Sequence, residues 1–284
     1  MNLSRIISGT MNWGVWGVNH SKKDICKLIS ESFDSGINSF DHADIYGGYT
    51  TEESFGDAFA DTGINREDVF FISKCGIMYP SEKFPIKIKH YDYSEDHIIK
   101  SVDNSLNYLK TDYLDCLLLH RPSPLMNIHI ISNTVKSLIK SGKIKSFGVS
   151  NFTANQMDMF KGKVEIIYNQ LNLSLTHLDH MYDGTLDYMQ ANDILPMAYS
   201  PLGSYFKEQD GKIKKVVDKL KNKYDCTDYQ LLISWLLKHP SKVYPVIGTT
   251  KSDRINKSVK SLKIEIELID WFELLEASVG KRVP

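Results

Sequence analysis

Short apolar runs rich in β-branched residues recur along the chain, and longer segments with a helical repeat of apolar positions separate them. Eight runs have the length and composition of buried strands: 6–9, 37–43, 69–74, 114–120, 146–149, 166–171, 195–200 and 243–248. Each interval between them is long enough for a crossover helix. This alternation predicts a parallel sheet covered by helices.

The intervals carry the signals of helices. Thr153 and Gln156 have the spacing of a capping box, in which each side chain accepts a hydrogen bond from a free backbone N–H of the first turn. Ile98, Val102 and Leu106 recur at the spacing of one helix face. We expect such faces to pack against the sheet.

The number of units and the length together favour a closed barrel. A barrel of eight βα units takes about 250 residues, and the chain has 284 with no Pro/Gly/Ser-rich linker. We therefore predict an α/β fold, a (β/α)8 TIM barrel that forms a single domain over residues 1–284. The polar segment 77–93 is predicted to be a loop after the third strand, and such loops line barrel active sites.

Composition and charge exclude several classes of protein. The 34 Lys and Arg residues nearly balance 35 Asp and Glu, giving a net charge of -1, which argues against nucleic-acid binding because that needs a basic excess. No apolar run approaches the roughly 18 residues of a membrane span. The four cysteines are far apart, with no CxxC pair and no leader segment. We expect a cytoplasmic monomer with no nucleic-acid or membrane partner.

Polar side chains stand at the predicted ends of three strands, where parallel barrels place their catalytic groups. Asp41 is in the second strand, with Tyr46 five residues beyond it, Lys74 ends the third and His120 ends the fourth. A charge at the end of an apolar run is costly to bury unless it is paired. Taken singly, Asp41 could be a helix cap, Lys74 could extend to solvent and His120 could be structural.

Together these four residues indicate a proton-donating site. A lysine beside a tyrosine favours the phenolate, and an aspartate keeps that lysine charged, so we expect the pKa of Tyr46 to fall from about 10 towards neutrality. The imidazole of His120 can orient a substrate carbonyl. Such a set suits protonation of an oxygen that becomes negative during a reaction.

Metal binding is the alternative for the histidines. His177 and His180 have a spacing that could suit a metal, but no third ligand motif accompanies them. Asp41 and His42 are neighbours on a strand and point to opposite faces, so His42 is expected to pack under a helix. We predict no metal, with a metal-dependent hydrolase as the less favoured alternative.

Seven segments resemble the successive motifs of the aldo-keto reductase superfamily, which comprises NADPH-dependent carbonyl reductases on a (β/α)8 barrel: SFDHADIYG, FISKCG, DYLDCLLLHRPSP, IKSFGVSNF, YNQLNLS, AYSPLGS and VIGTTKSDRI. They cover nearly the whole chain in order and most resemble a branch of short bacterial oxidoreductases. The resemblance implies that Tyr46 is the general acid, Lys74 tunes it, Asp41 holds Lys74 and His120 orients the carbonyl. Hydride would come from the cofactor.

The resemblance also implies contacts with NADPH or NADP+. Ser150, Asn151 and Gln170 match groups that bind the nicotinamide carboxamide, and Tyr199 matches the aromatic residue stacked on its ring. The residues that match the pyrophosphate loop and the phosphate-binding turn are Ser200, Leu202, Ser204, Gly248, Thr249, Thr250, Lys251 and Arg254. The chain departs from the family at Gly248, where a lysine is common, and Lys251 is expected to supply that charge.

Trp13 follows the first strand at a position that resembles the aromatic wall of the family's substrate pocket; a core position is the alternative. The resemblance implies reduction of small aldehydes or ketones to alcohols. An NADPH-binding regulatory module with little turnover is the alternative function, since some barrels of the superfamily act in that way.

Overall fold

The computed structural model describes residues 3–207 and 211–283. Its strands are β1 (Ile7–Gly9), β2 (Ser39–Asp41), β3 (Phe70–Cys75), β4 (Ile77–Met78), β5 (His90–Tyr91), β6 (Leu114–Leu119), β7 (Ile144–Ser150), β8 (Tyr168–Asn172), β9 (Leu195–Tyr199) and β10 (Tyr244–Ile247). Within the described residues, all but β4 and β5 close into a barrel in the order β1-β10-β9-β8-β7-β6-β3-β2. Every neighbouring pair in this barrel is parallel. The predicted (β/α)8 barrel is confirmed.

Helices lie between and after the barrel strands. They are α1 (Lys22–Asp34), α2 (Thr51–Phe59), α3 (Glu95–Leu109), α4 (Ile128–Lys140), α5 (Ala154–Asp158), α6 (Asp179–Tyr182), α7 (Thr185–Ala191), α8 (Lys212–Lys223), α9 (Asp228–Leu237), α10 (Ser252–Lys260) and α11 (Leu268–Val279). The capping box predicted at Thr153 and Gln156 is present at the start of α5. None of the helices in the described ranges is long and apolar enough to span a bilayer.

The structure corrects the bounds of several predicted elements. The second strand is shorter than the predicted 37–43, and the third extends one residue past Lys74, to Cys75. The segment 77–93 is not a plain loop, because β4 and β5 pair antiparallel within it. These two strands have only two residues each, too few for their alternation to be visible in the sequence.

The alternation of side chains along each strand builds two apolar layers. On β3, Phe70 and Ile72 point into the barrel, whereas Phe71 packs outward among residues of the helix layer. The same alternation places Lys74 in line with Phe70 and Ile72, at the C-terminal end of the inward row. On β8 it places Gln170 above Tyr168. The alternation of inward and outward side chains thus places polar residues at the C-terminal end of the barrel.

Candidate active site

A cleft of about 530 Å³ opens where the C-terminal ends of the barrel strands meet their following loops. Its volume is in the range typical of small-molecule sites. The predicted site residues that line it are Asp41, Tyr46, His120, Ser150, Asn151, Gln170, Tyr199, Ser200, Leu202, Gly248, Thr249 and Arg254. The cleft is therefore the place where the predicted catalytic and cofactor-binding groups meet.

Lys74 lies beneath the cleft and is 1% exposed. Its Nζ donates to Asp41 Oδ2 at 2.8 Å, to the carbonyl oxygen of His42 at 2.7 Å and to Tyr46 Oη at 3.1 Å. These three acceptors account for all three N–H groups of the ammonium. Burial lowers the pKa of Lys74, but the charges and hydrogen bonds of Asp41 and Tyr46 outweigh it, so the pKa is raised and the lysine stays charged.

Asp41 is held on both sides. While Oδ2 accepts from Lys74, Oδ1 accepts from Gln170 Nε2 at 2.8 Å. Gln170 was expected to bind a cofactor carboxamide. The structure gives its amide N–H group a different partner, the carboxylate that anchors Lys74. Asp41 is thereby fully paired although it is 3% exposed, which avoids the cost of a buried lone charge.

The hydroxyl of Tyr46 remains a protonated phenol in this site. Burial raises its pKa above the ordinary value of 10.0, and the nearby positive charge of Lys74 opposes this shift without cancelling it. The expectation of a pKa lowered towards neutrality was therefore wrong. The expectation included the positive charge of Lys74, which lowers the pKa, but not the loss of water around the phenol, which raises it more. A protonated Tyr46 is the state that a proton donor requires.

His120 is a neutral imidazole beside Tyr46. Burial lowers its pKa well below 6.5, with further lowering by the charges of Lys74 and Arg121. Its ring centroid lies 5.9 Å from that of Tyr46, in an edge-on arrangement. Its buried Nδ1 has no hydrogen-bond partner among the described residues. A neutral imidazole carries one N–H donor, which suits a hydrogen bond to a carbonyl oxygen.

A chain of hydrogen bonds fixes the opposite wall. Tyr199 Oη donates to Asn151 Oδ1 at 3.0 Å, Asn151 Nδ2 donates to Ser150 Oγ at 2.8 Å, and Ser150 Oγ donates to the carbonyl of Gln170 at 2.9 Å. Asn151 has a φ of 61°, in the left-handed region that non-glycine residues rarely adopt. Such strained positions cluster at functional sites. The wall is thus rigid and polar.

The start of α10 suits a phosphate. Its N-cap, Lys251, makes no side-chain capping bond, so the cap residue leaves the N–H groups at the start of the helix available to an anion. Arg254 lines the cleft and forms no ion pair within residues 3–207 and 211–283. Thr250, Lys251 and Ser204 are not among the walls of the cleft. The start of α10 and the charge of Arg254 together fit the anionic part of a nicotinamide cofactor.

The two tryptophans after β1 lie in different surroundings, one in the core and one in the cleft. Trp13 is 1% exposed and packs against Phe40 and Phe55 in the core, with ring centroids 6.4 and 6.1 Å away. It does not line the cleft, so the expectation that it forms the pocket wall is corrected. Trp16, which the sequence analysis missed, lines the cleft and lies 6.3 Å from the Tyr46 ring. The turn after β1 decides which indole faces the cleft.

Three further residues that line the cleft were not predicted from the sequence: Lys89, Arg121 and Tyr229. Arg121 directly follows His120, and this adjacency was a usable signal. Lys89 comes from the segment expected to line the site, whereas Tyr229 is on α9, far from any recognised motif.

The histidines that suggested metal binding have structural partners. His42 packs against Phe55 and Phe71, and its Nδ1 is 3.0 Å from Thr10 Oγ1. His180 Nδ1 is 3.0 Å from an oxygen of Asp183. Within the described ranges, no three His, Cys, Asp or Glu side chains are grouped in a way that could hold a metal ion.

A buried carboxyl group lies behind the active site. Glu52 on α2 accepts hydrogen bonds from Ser73 Oγ at 2.5 Å and from Ser105 Oγ at 2.9 Å. Burial raises its pKa from 4.5 to about 7, because the two serine hydrogen bonds and the charge of Lys74 offset the loss of water only in part. Glu52 therefore titrates near neutral pH inside the fold.

We expect the Glu52→Gln variant to gain stability relative to wild type as the pH rises from about 5 to about 8. In that window the folded protein holds a proton on Glu52 that the unfolded chain has released, so rising pH removes stability from the wild type. Urea unfolding of both proteins across the pH range measures the difference. The exposed neighbour offers a control, since Glu53→Gln should show no such trend. A difference that stays flat with pH would contradict the prediction.

Comparisons with known proteins agree with this geometry. The sequence profile of the Aldo/keto reductase family matches residues 5–274. The chain is 36% identical over 293 residues to the uncharacterized oxidoreductase YcsN of Bacillus subtilis, covering 100% of this chain and 97% of that protein. It is 33% identical over 292 residues to the 6-dehydroglucose reductase of Agrobacterium fabrum, with the same coverage of both.

Solved structures show the same fold. A thermostable aldo-keto reductase crystallised with the inhibitor epalrestat superposes with a TM-score of 0.83 at 25% identity, covering 97% of this chain and 95% of that one. The profile match spans most of the sequence, and the relatives align with all of it. The chain therefore belongs to the aldo/keto reductase family.

Proposed function

We propose that this protein reduces aldehydes or ketones to alcohols with NADPH, and that Tyr46 is the general acid. One observation carries the proposal: the Tyr46 hydroxyl accepts a hydrogen bond from Lys74 Nζ at 3.1 Å in a cleft that Tyr46 and His120 line together, while burial raises the pKa of Tyr46. A proton donor, a carbonyl-orienting group and a fixed cation behind them are the parts that such a reduction needs.

The residues act on the carbonyl oxygen. Tyr46 and His120 each donate a hydrogen bond to it, which polarises the C=O bond. When bound, NADPH supplies a hydride to the carbonyl carbon. As the π electrons move to oxygen, the proton of Tyr46 Oη transfers there and completes the alcohol. Lys74 stabilises the phenolate that remains, and a proton from solvent restores Tyr46. In oxidation of an alcohol the same groups act in reverse.

The rest of the cleft supports cofactor binding. Asn151, Ser150 and Tyr199 form a hydrogen-bonded wall in the cleft that Tyr46 and His120 also line, and this wall would hold the nicotinamide end of the cofactor. The start of α10, which has no side-chain cap, and the charge of Arg254 would form the phosphate-binding end. The relative named 6-dehydroglucose reductase supports a carbonyl compound as the substrate class.

A steady-state screen of NADPH oxidation with small aldehydes, ketones and sugars tests the proposal, with NADH run in parallel. We expect many turnovers per protein molecule and a higher kcat/KM with NADPH. A single turnover of bound NADPH followed by very slow exchange would instead identify a regulatory module that senses the redox state of the cofactor.

A further inference from the structure

Two cations line the cleft but do not follow β9 or β10, the strands whose loops are expected to hold the cofactor phosphates. Arg121 follows β6, and Lys89 lies just before β5. In the described part of the chain, neither has a carboxylate within ion-pair distance. The acid in the cleft lining is Asp41, which Lys74 neutralises. The lining therefore carries unbalanced positive charge at these two residues.

The guanidinium of Arg121 is held in place. Its Nη2 donates to Tyr199 Oη at 3.4 Å, and its central carbon lies 5.8 Å from the centroid of the Tyr199 ring. Its backbone N–H donates to Tyr93 Oη at 3.2 Å, which anchors the residue from the other side. The remaining guanidinium N–H groups have no acceptor among the described residues. A positioned guanidinium with free donors suits a planar, bidentate acceptor.

Both charges act electrostatically on residues proposed to hold the carbonyl. Behind the larger effects of burial and Lys74, Arg121 and Lys89 contribute to the lowered pKa of His120. Arg121 also opposes the rise in the pKa of Tyr46, after Lys74. An anion held by these cations would lie close to a carbonyl bound at Tyr46 and His120.

The cofactor does not account for these two cations. Barrel phosphate sites are built from the loops after the seventh and eighth strands, which here follow β9 and β10 and include Arg254. Arg121 and Lys89 follow the fourth and third barrel strands instead. Their charges are left for the other occupant of the cleft, the substrate.

We propose that Arg121 and Lys89 form an anion subsite, and that the preferred substrate carries a carboxylate or a phosphate near its carbonyl group. This proposal rests on the proposed carbonyl reduction. It adds a charged recognition site to that reaction. Arg121 is the principal contact because it is half-buried and positioned, and Lys89 is an exposed second charge at the rim.

Matched substrates test the subsite. Succinic semialdehyde and butanal differ in a carboxylate, and glyceraldehyde 3-phosphate and glyceraldehyde differ in a phosphate. In wild type we expect kcat/KM to favour the anionic member, and Arg121→Gln to lower that preference about tenfold or more, mainly through KM. Lys89→Gln should lower it less. The arm with the larger loss identifies the anion as a carboxylate or a phosphate.

Lys87→Gln is the matched control, because Lys87 is an exposed cation in the same segment that does not line the cleft. It should keep the wild-type preference. If Arg121→Gln also keeps it, or if wild type prefers the neutral aldehydes, the anion subsite is overturned.

A binding measurement separates this proposal from the proposed function. Succinate is titrated into the protein with NADP+ present, and quenching of tryptophan fluorescence, to which Trp16 in the cleft contributes, reports binding without turnover. We expect Arg121→Gln to weaken the succinate Kd about tenfold. Equal affinity in both proteins would overturn the subsite. Weakened binding in a protein that turns over no aldehyde would support the subsite and refute the reductase.

Discussion

Tyr46→Phe is expected to lower kcat for carbonyl reduction about a thousandfold, within the range that general acid catalysis contributes. The substitution removes the hydroxyl that donates the proton and leaves the ring that packs beside Trp16 and His120. His120 cannot replace it, because burial and the charge of Lys74 keep its imidazole neutral and a poor acid. Steady-state NADPH oxidation measures the loss, and the NADP+ Kd should change little.

Tyr49→Phe provides the matched control. Tyr49 is also a buried tyrosine, and its hydroxyl accepts from the backbone N–H of Tyr79 at 2.8 Å, but it does not line the cleft. This variant should retain the wild-type kcat. Activity of Tyr46→Phe within about tenfold of wild type would show that another group delivers the proton.

Lys74→Met is expected to have the largest effect on stability. It leaves the carboxylate of Asp41 buried with one remaining hydrogen-bond partner, Gln170. Removing one member of a buried ion pair costs about 3–5 kcal/mol, because the other charge stays in an apolar surrounding without compensation. The free energy of unfolding in urea measures this loss. The variant should also lose turnover, since the cation that is hydrogen-bonded to Tyr46 Oη and would stabilise its phenolate is removed.

A double variant separates the cost of the unpaired charge from the cost of altered packing. Asp41→Asn combined with Lys74→Met removes both charges, so we expect most of the lost stability to return while activity stays absent. Lys143→Met breaks an exposed ion pair with Asp103 and should cost under about 1 kcal/mol. The prediction is contradicted if Lys74→Met is as mild as Lys143→Met, or if the double variant is less stable than Lys74→Met alone.

The four residues proposed for proton donation could be singled out in the sequence because they stand at or shortly after strand ends. Asp41 is the last residue of β2, Lys74 is next to the last of β3 and His120 directly follows β6. In a parallel barrel those ends share one mouth, and the period of two along a strand fixes which side chains point inward. Tyr46 follows within a few residues of Asp41, so local geometry brings it to the same place.

Other parts of the site depend on contacts between distant positions. Gln170 donates to Asp41 across 129 residues of sequence, and only closure of the barrel brings β8 opposite β2. Trp13 and Trp16 carry the same side chain, so residue type does not distinguish them. The path of the turn after β1 decides that Trp13 packs in the core and Trp16 lines the cleft.

The sequence by itself determined the barrel and singled out the four residues proposed for proton donation, because these depend on short-range periodicity and on strand ends. Only the tertiary structure shows that burial raises the pKa of Tyr46 and that Arg121 and Lys89 line the same cleft. Burial and the distances between charges control both, and they exist only once remote segments have packed together.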